Sequence, residues 1–403
     1  MKKFLIMLLA LTMFLSLVAC GAKDDIEDEG AEAPAVEEEA PAEETPAEEE
    51  EPEEEVEVEV PADDGSFELA LITDVGTIDD KSFNQGSWEG LVEYAEEHDI
   101  SHKYYKPTEQ SDSAYMNSID LAVESGAQVI VCPGFLFEVA VFEKQSEYPD
   151  VKFVLIDGAP HNEDYSEFRT DDNVLGILYR EDEAGFLAGY AAVHEGYRDL
   201  GFMGGMAVPA VIRFGYGYVQ GAEYAAKELD LAAGDVSINY HYTGDFVPSP
   251  ENKTRAASWY NDGLEVIFAA AGGAGSSVMA AAEDAEKSGA VAKVFGVDVD
   301  QSFESDTVIS SAVKNLQKSV YEAIAAHYDG TWTGADVVTL GAAEDMILLP
   351  METSKFDNFT QDQYDAIYDK LVAGEIELMN DEDAETVAGL EPVLELVTVT
   401  EIN

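Results

Sequence analysis

The chain has 403 residues, of which 84 are Asp or Glu and 21 are Lys or Arg, so its formal net charge is −63 at pH 7. This acidic excess makes nucleic acid and anionic lipid surfaces poor partners, because both would be repelled. The only cysteines are Cys20 and Cys132, which leaves no disulfide framework and no cysteine-based zinc site. Cys132 lies in the apolar run 127–133, where we expect a buried, inert thiol.

The N-terminus has the features of a secretion signal. Lys2 and Lys3 precede an apolar run over residues 4–19, which is too short and too near the terminus for a spanning helix. The run ends in a small residue followed by Cys20 and a glycine, an arrangement that resembles a bacterial lipobox. We therefore predict a lipoprotein signal peptide over residues 1–19, with Cys20 acylated and held on the extracytoplasmic face of the cell membrane. The alternative is an ordinary secretion signal with an incidental cysteine.

Residues 20–66 are predicted to form the lipidated Cys20 and an acidic, disordered tether. Between residues 23 and 64 the sequence is almost entirely Glu, Asp, Ala and Pro. Such a segment cannot bury enough apolar surface to offset the entropy of ordering, and its charges repel one another. We interpret it as a spacer, with a specific binding partner as the alternative.

From residue 67 onward, short apolar runs alternate with amphipathic stretches in two series. Strands that are apolar throughout and separated by helices form parallel sheets covered on both faces, so the pattern predicts an α/β fold with two doubly wound lobes. The first series has predicted strands at 67–73, 102–106, 127–133 and 152–157, and helices that begin near Ser82, Asp112 and Phe137. The second has predicted strands at 200–204, 237–243, 265–271 and 293–297, and helices that begin near Val211, Glu251 and Ser276.

A third stretch after Asp298 supplies a further predicted strand at 307–313 and a helix. A chain that leaves one lobe, builds a second and returns must cross between them several times, which predicts a multi-crossover hinge beside a cleft. We predict lobe 1 over residues 67–172 plus about 300–345. Lobe 2 is then predicted over residues 173–299 plus part of 346–403. In parallel sheets the ligand lies beyond the carboxyl ends of the strands, so both lobes should line the cleft.

Several polar and aromatic residues follow predicted strands and are therefore candidates for the cleft. Helix capping is the alternative for Asp74, Asp79 and Asp80, and a place in the core is the alternative for the aromatic residues. The glycine cluster lacks the Lys-Ser or Lys-Thr ending of a phosphate-binding loop. The candidates at the strand ends are Asp74, Phe83, Asn84, Asp157, the glycines 272, 273 and 275, and Asp298.

Five segments in order along the chain resemble the basic membrane protein family of lipoproteins, also called the purine-nucleoside receptor family. They are residues 73–88, 155–157, 201–205, 271–275 and 296–301. The resemblance implies a fold similar to type I periplasmic binding proteins and delivery of nucleosides to the permease of an ABC importer.

The same resemblance implies roles for individual residues. Asp74 and Asp157 would bind the base, Phe83 would stack on it, and Asp298 with Lys314 would hold ribose hydroxyls, with Gly273 close to the sugar. Phe268 and Phe214 compete for the second stacking ring. An exposed surface lysine is the alternative for Lys314.

The sequence therefore predicts a solute-binding protein that is not an enzyme and needs no cofactor or metal. An aromatic face suits stacking rings, and ribose hydroxyls suit carboxylates, so a small neutral nucleoside, with purine nucleosides favoured, is the expected ligand. A nucleoside hydrolase is disfavoured because the six histidines show no metal-ligand spacing. A surface sensor, or a protein for another small solute such as a sugar, remains the alternative.

Overall fold

The computed structural model describes residues 65–402. The predictions for the signal peptide, for Cys20 and for nearly all of the tether lie outside these residues. Within residues 65–402, no helix is both long enough and apolar enough to cross a membrane.

Lobe 1 is built on a six-stranded sheet. Each strand pairs in parallel with its neighbours, and the spatial order is β11-β5-β4-β3-β1-β2. The strands are β1 Leu69–Ile72, β2 His102–Tyr105, β3 Val129–Pro133, β4 Lys152–Ile156, β5 Val174–Tyr179 and β11 Asp336–Leu340. The helices packed on this sheet are α1 Phe83–Glu97, α2 Asp112–Glu124, α3 Glu138–Glu147 and α8 Leu316–Tyr328.

Lobe 2 is built on a seven-stranded sheet in the order β12-β10-β9-β8-β6-β7-β13, parallel except for the short antiparallel strand β12. Its strands are β6 Asp199–Gly204, β7 Val236–Tyr242, β8 Val266–Ala270, β9 Lys293–Asp298, β10 Val308–Lys314, β12 Ile347–Leu348 and β13 Val397–Glu401. Its helices are α4 Glu181–Glu195, α5 Pro209–Glu228, α6 Pro250–Asn261, α7 Gly275–Lys287 and α9 Gln361–Val372.

The predicted fold class is confirmed, and the predicted strands are present with ends that differ by one or two residues. Along β1, Leu69 and Leu71 belong to one buried cluster while Ala70 and Ile72 belong to another. Both faces of the strand are therefore covered, which is why the apolar run shows no alternation. In each lobe the chain reverses its winding direction after the first two strands, so β1 lies beside β3 and β6 lies beside β8. A ligand site is expected at such a switch point.

The predicted lobe boundaries were wrong at two strands. β5 was assigned to lobe 2 but pairs with β4 in the first sheet, and β10 was assigned to lobe 1 but pairs with β9 in the second. A buried strand carries no local mark of the sheet that it joins, so the apolar pattern could not place either one. Among the described residues the chain crosses between lobes three times, after β5, after β10 and after β11.

Two helices of lobe 2 pack with their backbones in close approach. A Cβ atom on Gly185 or Gly189 of α4 would lie 2.0 Å from a carbonyl oxygen of α5, and a Cβ on Gly217 or Gly221 of α5 would lie 2.0 Å from a carbonyl oxygen of α4. The missing side chains let the two helices meet without a layer of side chains between them. The pair matters for the cleft because α4 begins at the first crossing and α5 begins at the cleft wall.

Replacing Gly217 by Ala should lower the free energy of unfolding by about 2 to 4 kcal/mol, because the added methyl group would meet the Asp182 carbonyl oxygen. Gly275→Ala is the matched control, since a Cβ there would have only ordinary contacts at 3.8 Å. Chemical denaturation of both variants measures the difference. Equal stability of the two variants would contradict the close packing of α4 and α5.

Candidate functional site

A cleft of about 840 Å³ lies between the two lobes. Its walls are formed by residues at and beyond the carboxyl ends of β1, β3, β4 and β5 in lobe 1 and of β6, β7, β8, β9 and β10 in lobe 2. This is the position that two facing parallel sheets define for a ligand. Among the predicted site residues, those that line the cleft are Asp74, Phe83, Asn84, Asp157, Phe214, Gly273, Asp298 and Lys314.

Lys314, the last residue of β10, lies at the hinge end of the cleft and is 3% exposed. Its Nζ atom is 2.5 Å from Asp157 Oδ2, 3.5 Å from Asp298 Oδ1 and 3.7 Å from Glu181 Oε1. Asp157 belongs to lobe 1, whereas Lys314 belongs to lobe 2. The shortest of these ion pairs therefore joins the lobes beside the second crossing.

Three aromatic rings also surround the Lys314 ammonium group. The distances from Nζ to the ring centroids are 4.7 Å for Phe83, 5.4 Å for Phe214 and 5.5 Å for Tyr179. All three lie within the range of cation–π attraction. The alternative of an exposed surface lysine is thus wrong, and Lys314 is fixed in place by both charge and aromatic faces.

The charges in this cluster change each other's pKa. Burial alone would lower the pKa of Lys314, but Asp157, Asp298 and Glu181 outweigh it and raise the pKa above its ordinary value. Burial also raises the pKa of Asp157, although Lys314 opposes the shift. Burial and the neighbouring Asp157 raise the pKa of Glu181 to about 8.

The two carboxylates from opposite lobes share an uncommon backbone conformation. Asp157 follows β4 and has φ 55°, and Asp298 ends β9 and has φ 66°. Aspartate adopts this left-handed region more readily than most residues, and such positions concentrate at binding sites. In Asp298, Oδ2 also accepts a hydrogen bond of 2.6 Å from Ser82 Oγ, which is a second link between the lobes.

Asp74 is held by the first turn of α1. The Asn84 amide donates to Asp74 Oδ1 at 2.8 Å, and the Asp74 backbone N–H donates to Asn84 Oδ1 at 3.1 Å. Burial raises the pKa of Asp74 to about 6. The Asn84 side chain is therefore engaged in positioning Asp74. Asp80 caps the helix, because its carboxylate accepts from the backbone N–H groups of Ser82, Asn84 and Gln85.

The structure places aromatic rings from both lobes on the walls of the cleft. Phe83 comes from lobe 1, and Phe214 comes from α5 of lobe 2. Phe268 is fully buried within β8, with its ring against Phe202, Phe214 and Tyr218. The prediction that Phe268 lines the cleft was wrong, because β8 lies inside its sheet and is covered on both faces.

Sequence reasoning missed several residues that line the cleft. Glu181 stands in a run of four charged residues, which is typical of a solvated helix start. Arg213 reaches the cleft from α5 and is held at 2.6 Å by Asp381, far away in the sequence. The other missed residues are His161, Tyr165, Phe168 and Phe246. The aromatic content of the two loops that carry them was the one sequence signal available.

The fold and the cleft together define a two-lobed solute-binding protein. The family model described as "ABC transporter substrate-binding protein PnrA-like", named Bmp, matches residues 67–382. The chain therefore belongs to the Bmp family of ABC transporter substrate-binding proteins, and the resemblance seen in the sequence is confirmed.

Similar proteins agree with this assignment. Basic membrane protein A1 of Borrelia garinii subsp. bavariensis is 30% identical over 319 residues, which cover 76% of this chain and 86% of the relative. The ABC transporter nucleoside-binding protein BmpA of Lactococcus lactis subsp. cremoris is 28% identical over 74% of this chain and 84% of its own length. A solved ABC solute-binding protein from Aeropyrum pernix K1 superposes with a TM-score of 0.69 at 25% identity, covering 81% of this chain and 96% of that one.

Replacing Lys314 by Met should lower the free energy of unfolding by about 3 to 5 kcal/mol, because three buried carboxylates would lose their shared cation. Lys318→Met, in the first turn of α8, is the matched control. Its partner Asp345 is 72% exposed at the side chain, so the loss should stay below about 1 kcal/mol. Urea denaturation at neutral pH measures both variants. Similar small losses would show that the cluster does not depend on Lys314.

Proposed function

We propose that the protein captures nucleosides, with purine nucleosides preferred, in the interlobe cleft and delivers them to an ABC importer. The observation that carries the proposal is that charged side chains and aromatic rings from both lobes line one cleft. Lys314, Asp157 and Asp298 offer hydrogen-bond partners for sugar hydroxyls, and Phe83 and Phe214 offer faces for a base.

The charge of the cleft also favours a neutral ligand. Its carboxylates outnumber its basic groups, and Lys314 and Arg213 are already paired with acidic partners. A phosphate group would meet an excess of negative charge at short range. The name of the Lactococcus lactis relative refers to nucleoside binding, which supports capture of a nucleoside without catalysis.

The transport step is proposed to work by closure of the hinge. Both lobes contribute side chains to the cleft, so a ligand that contacts both of them stabilises the form in which they are close together. The importer would then recognise this closed form. Acylated Cys20 and the acidic tether would keep the protein near the permease on the outer face of the membrane.

Calorimetric titration with adenosine, guanosine, inosine, uridine, ribose and the free bases tests the proposed ligand. Purine nucleosides should bind with Kd below about 1 µM, equivalent to about −8 kcal/mol. Ribose and the free bases should bind far more weakly, because each satisfies only one end of the cleft. Asp306→Ala, on an exposed loop, is the control for Asp298→Ala, which should bind about 30-fold or more weakly. Absence of heat with every nucleoside would reject the proposal.

Replacement of Cys20 by Ser tests the proposed anchor. The full-length protein should partition into the detergent phase of a Triton X-114 extract, and the variant should move to the aqueous phase because the acyl chains are missing. Equal partition of the two proteins would contradict lipidation at Cys20.

A further inference from the structure

Glu181 is a buried acid to which the proposed nucleoside site gives no role. It is the first residue of α4, it follows the first crossing between lobes, and it lines the cleft while only 1% exposed. Its Oε1 is 3.7 Å from Lys314 Nζ and its Oε2 is 3.7 Å from Arg213 Nη1. Both distances exceed that of a hydrogen bond. Glu181 is therefore attracted electrostatically by two cations but forms a hydrogen bond with neither.

The charged groups around Glu181 do not balance. Lys314 from β10 and Arg213 from α5 are the cations in contact with it, while Asp157, Asp298 and Asp381 are the carboxylates that these cations already hold. With Glu181 the cluster has four carboxylates for two cations. The remaining titratable groups near it are Tyr179 at the end of β5 and its chain neighbours Arg180, Asp182 and Glu183.

Two carboxylate oxygen atoms that lack a hydrogen-bond donor indicate that the cluster holds a proton. Asp157 Oδ1 and Glu181 Oε2 are buried and have no hydrogen-bond donor among residues 65–402. A buried carboxylate oxygen without a donor is costly. Asp157 Oδ2 and Glu181 Oε1 approach the same Lys314 Nζ, at 2.5 and 3.7 Å, so the two carboxyl groups are neighbours. One proton held between the two groups would supply the missing donor and remove one negative charge from the cluster.

We propose that Glu181 is a positioning residue of the ligand site, which acts as a neutral carboxylic acid that donates a hydrogen bond to Asp157. This inference rests on the proposed function, because Asp157 and its partner Lys314 are the groups that would meet the ligand. The donated hydrogen bond fixes Asp157 of lobe 1 against α4 of lobe 2. Lys314 is then held by Asp157 and Asp298 from opposite sides of the cleft.

The arrangement makes ligand capture depend on pH. Burial and Asp157 raise the pKa of Glu181 to about 8 with the lobes in this arrangement, whereas a Glu that is solvated when the lobes open has a pKa near its ordinary value. A group with a raised pKa contributes its stabilisation fully below its ordinary pKa, and the contribution is lost as the pH rises through about 8. Above that pH two carboxylates face each other across the lobes, so affinity should be about tenfold lower at pH 9 than at pH 7.

The experiment combines infrared spectroscopy of the adenosine-bound protein with calorimetric titration of adenosine, which does not ionise in this pH range. The wild type should show a protonated-carboxyl band at pH 7 that disappears in Glu181→Gln. Its adenosine affinity should fall about tenfold from pH 7 to pH 9. Glu181→Gln should bind equally well at both values, because the amide donates at any pH.

Glu251→Gln is the matched control, since Glu251 also lies in the first turn of a lobe 2 helix but is exposed and lies outside the cleft. It should keep both the infrared band and the wild-type pH profile. The inference is overturned if the band survives in Glu181→Gln, or if that variant and the wild type lose affinity together. Failure of every nucleoside to bind at any pH would instead contradict the proposed function, whereas nucleoside binding without the pH dependence would contradict only the role of Glu181.

Discussion

The cleft depends on one buried cation. Lys314 ends a strand of lobe 2, contacts Asp157 of lobe 1 and lies directly before the second crossing of the chain. Removing a lysine from water is costly unless carboxylates and hydrogen bonds surround it. That requirement explains why acids from both lobes converge at the hinge and why the two lobes are linked there. The same cluster would meet the polar part of a ligand, so the contact between the lobes at the hinge and the candidate ligand site share the same residues.

The large acidic excess does not lie only on the surface. Within lobe 2, Glu195 accepts hydrogen bonds from the backbone N–H groups of residues 357–359, and Glu223 accepts from those of residues 395–397. In lobe 1, Asp80 does the same for the start of α1. These carboxylates satisfy donors that loops and helix ends would otherwise leave unpaired. Glu195 and Glu223 hold the C-terminal segment against lobe 2, whose helix α5 carries Arg213.

Much of the fold could be predicted from the sequence because buried parallel strands are apolar throughout and the glycines and acids that follow them stand out. Other parts carried no such signal. Nearly every residue of α4 is buried, so the helix shows no apolar stripe to distinguish it. Phe268 and Phe214 are equally apolar in sequence, and only the sheet and the helix that hold them decide which one reaches the cleft. Glu181 looked solvated because its neighbours are charged, although the crossing of the chain buries it.

The most direct measurement of the central claim is a crystal structure of the protein bound to a purine nucleoside. We expect a base between Phe83 of lobe 1 and a ring of lobe 2, with sugar hydroxyls bonded to Asp298 and Lys314. We also expect Lys314 to keep its contact with Asp157. A nucleoside bound outside the interlobe cleft, or bound with its sugar away from Lys314 and Asp298, would contradict the account.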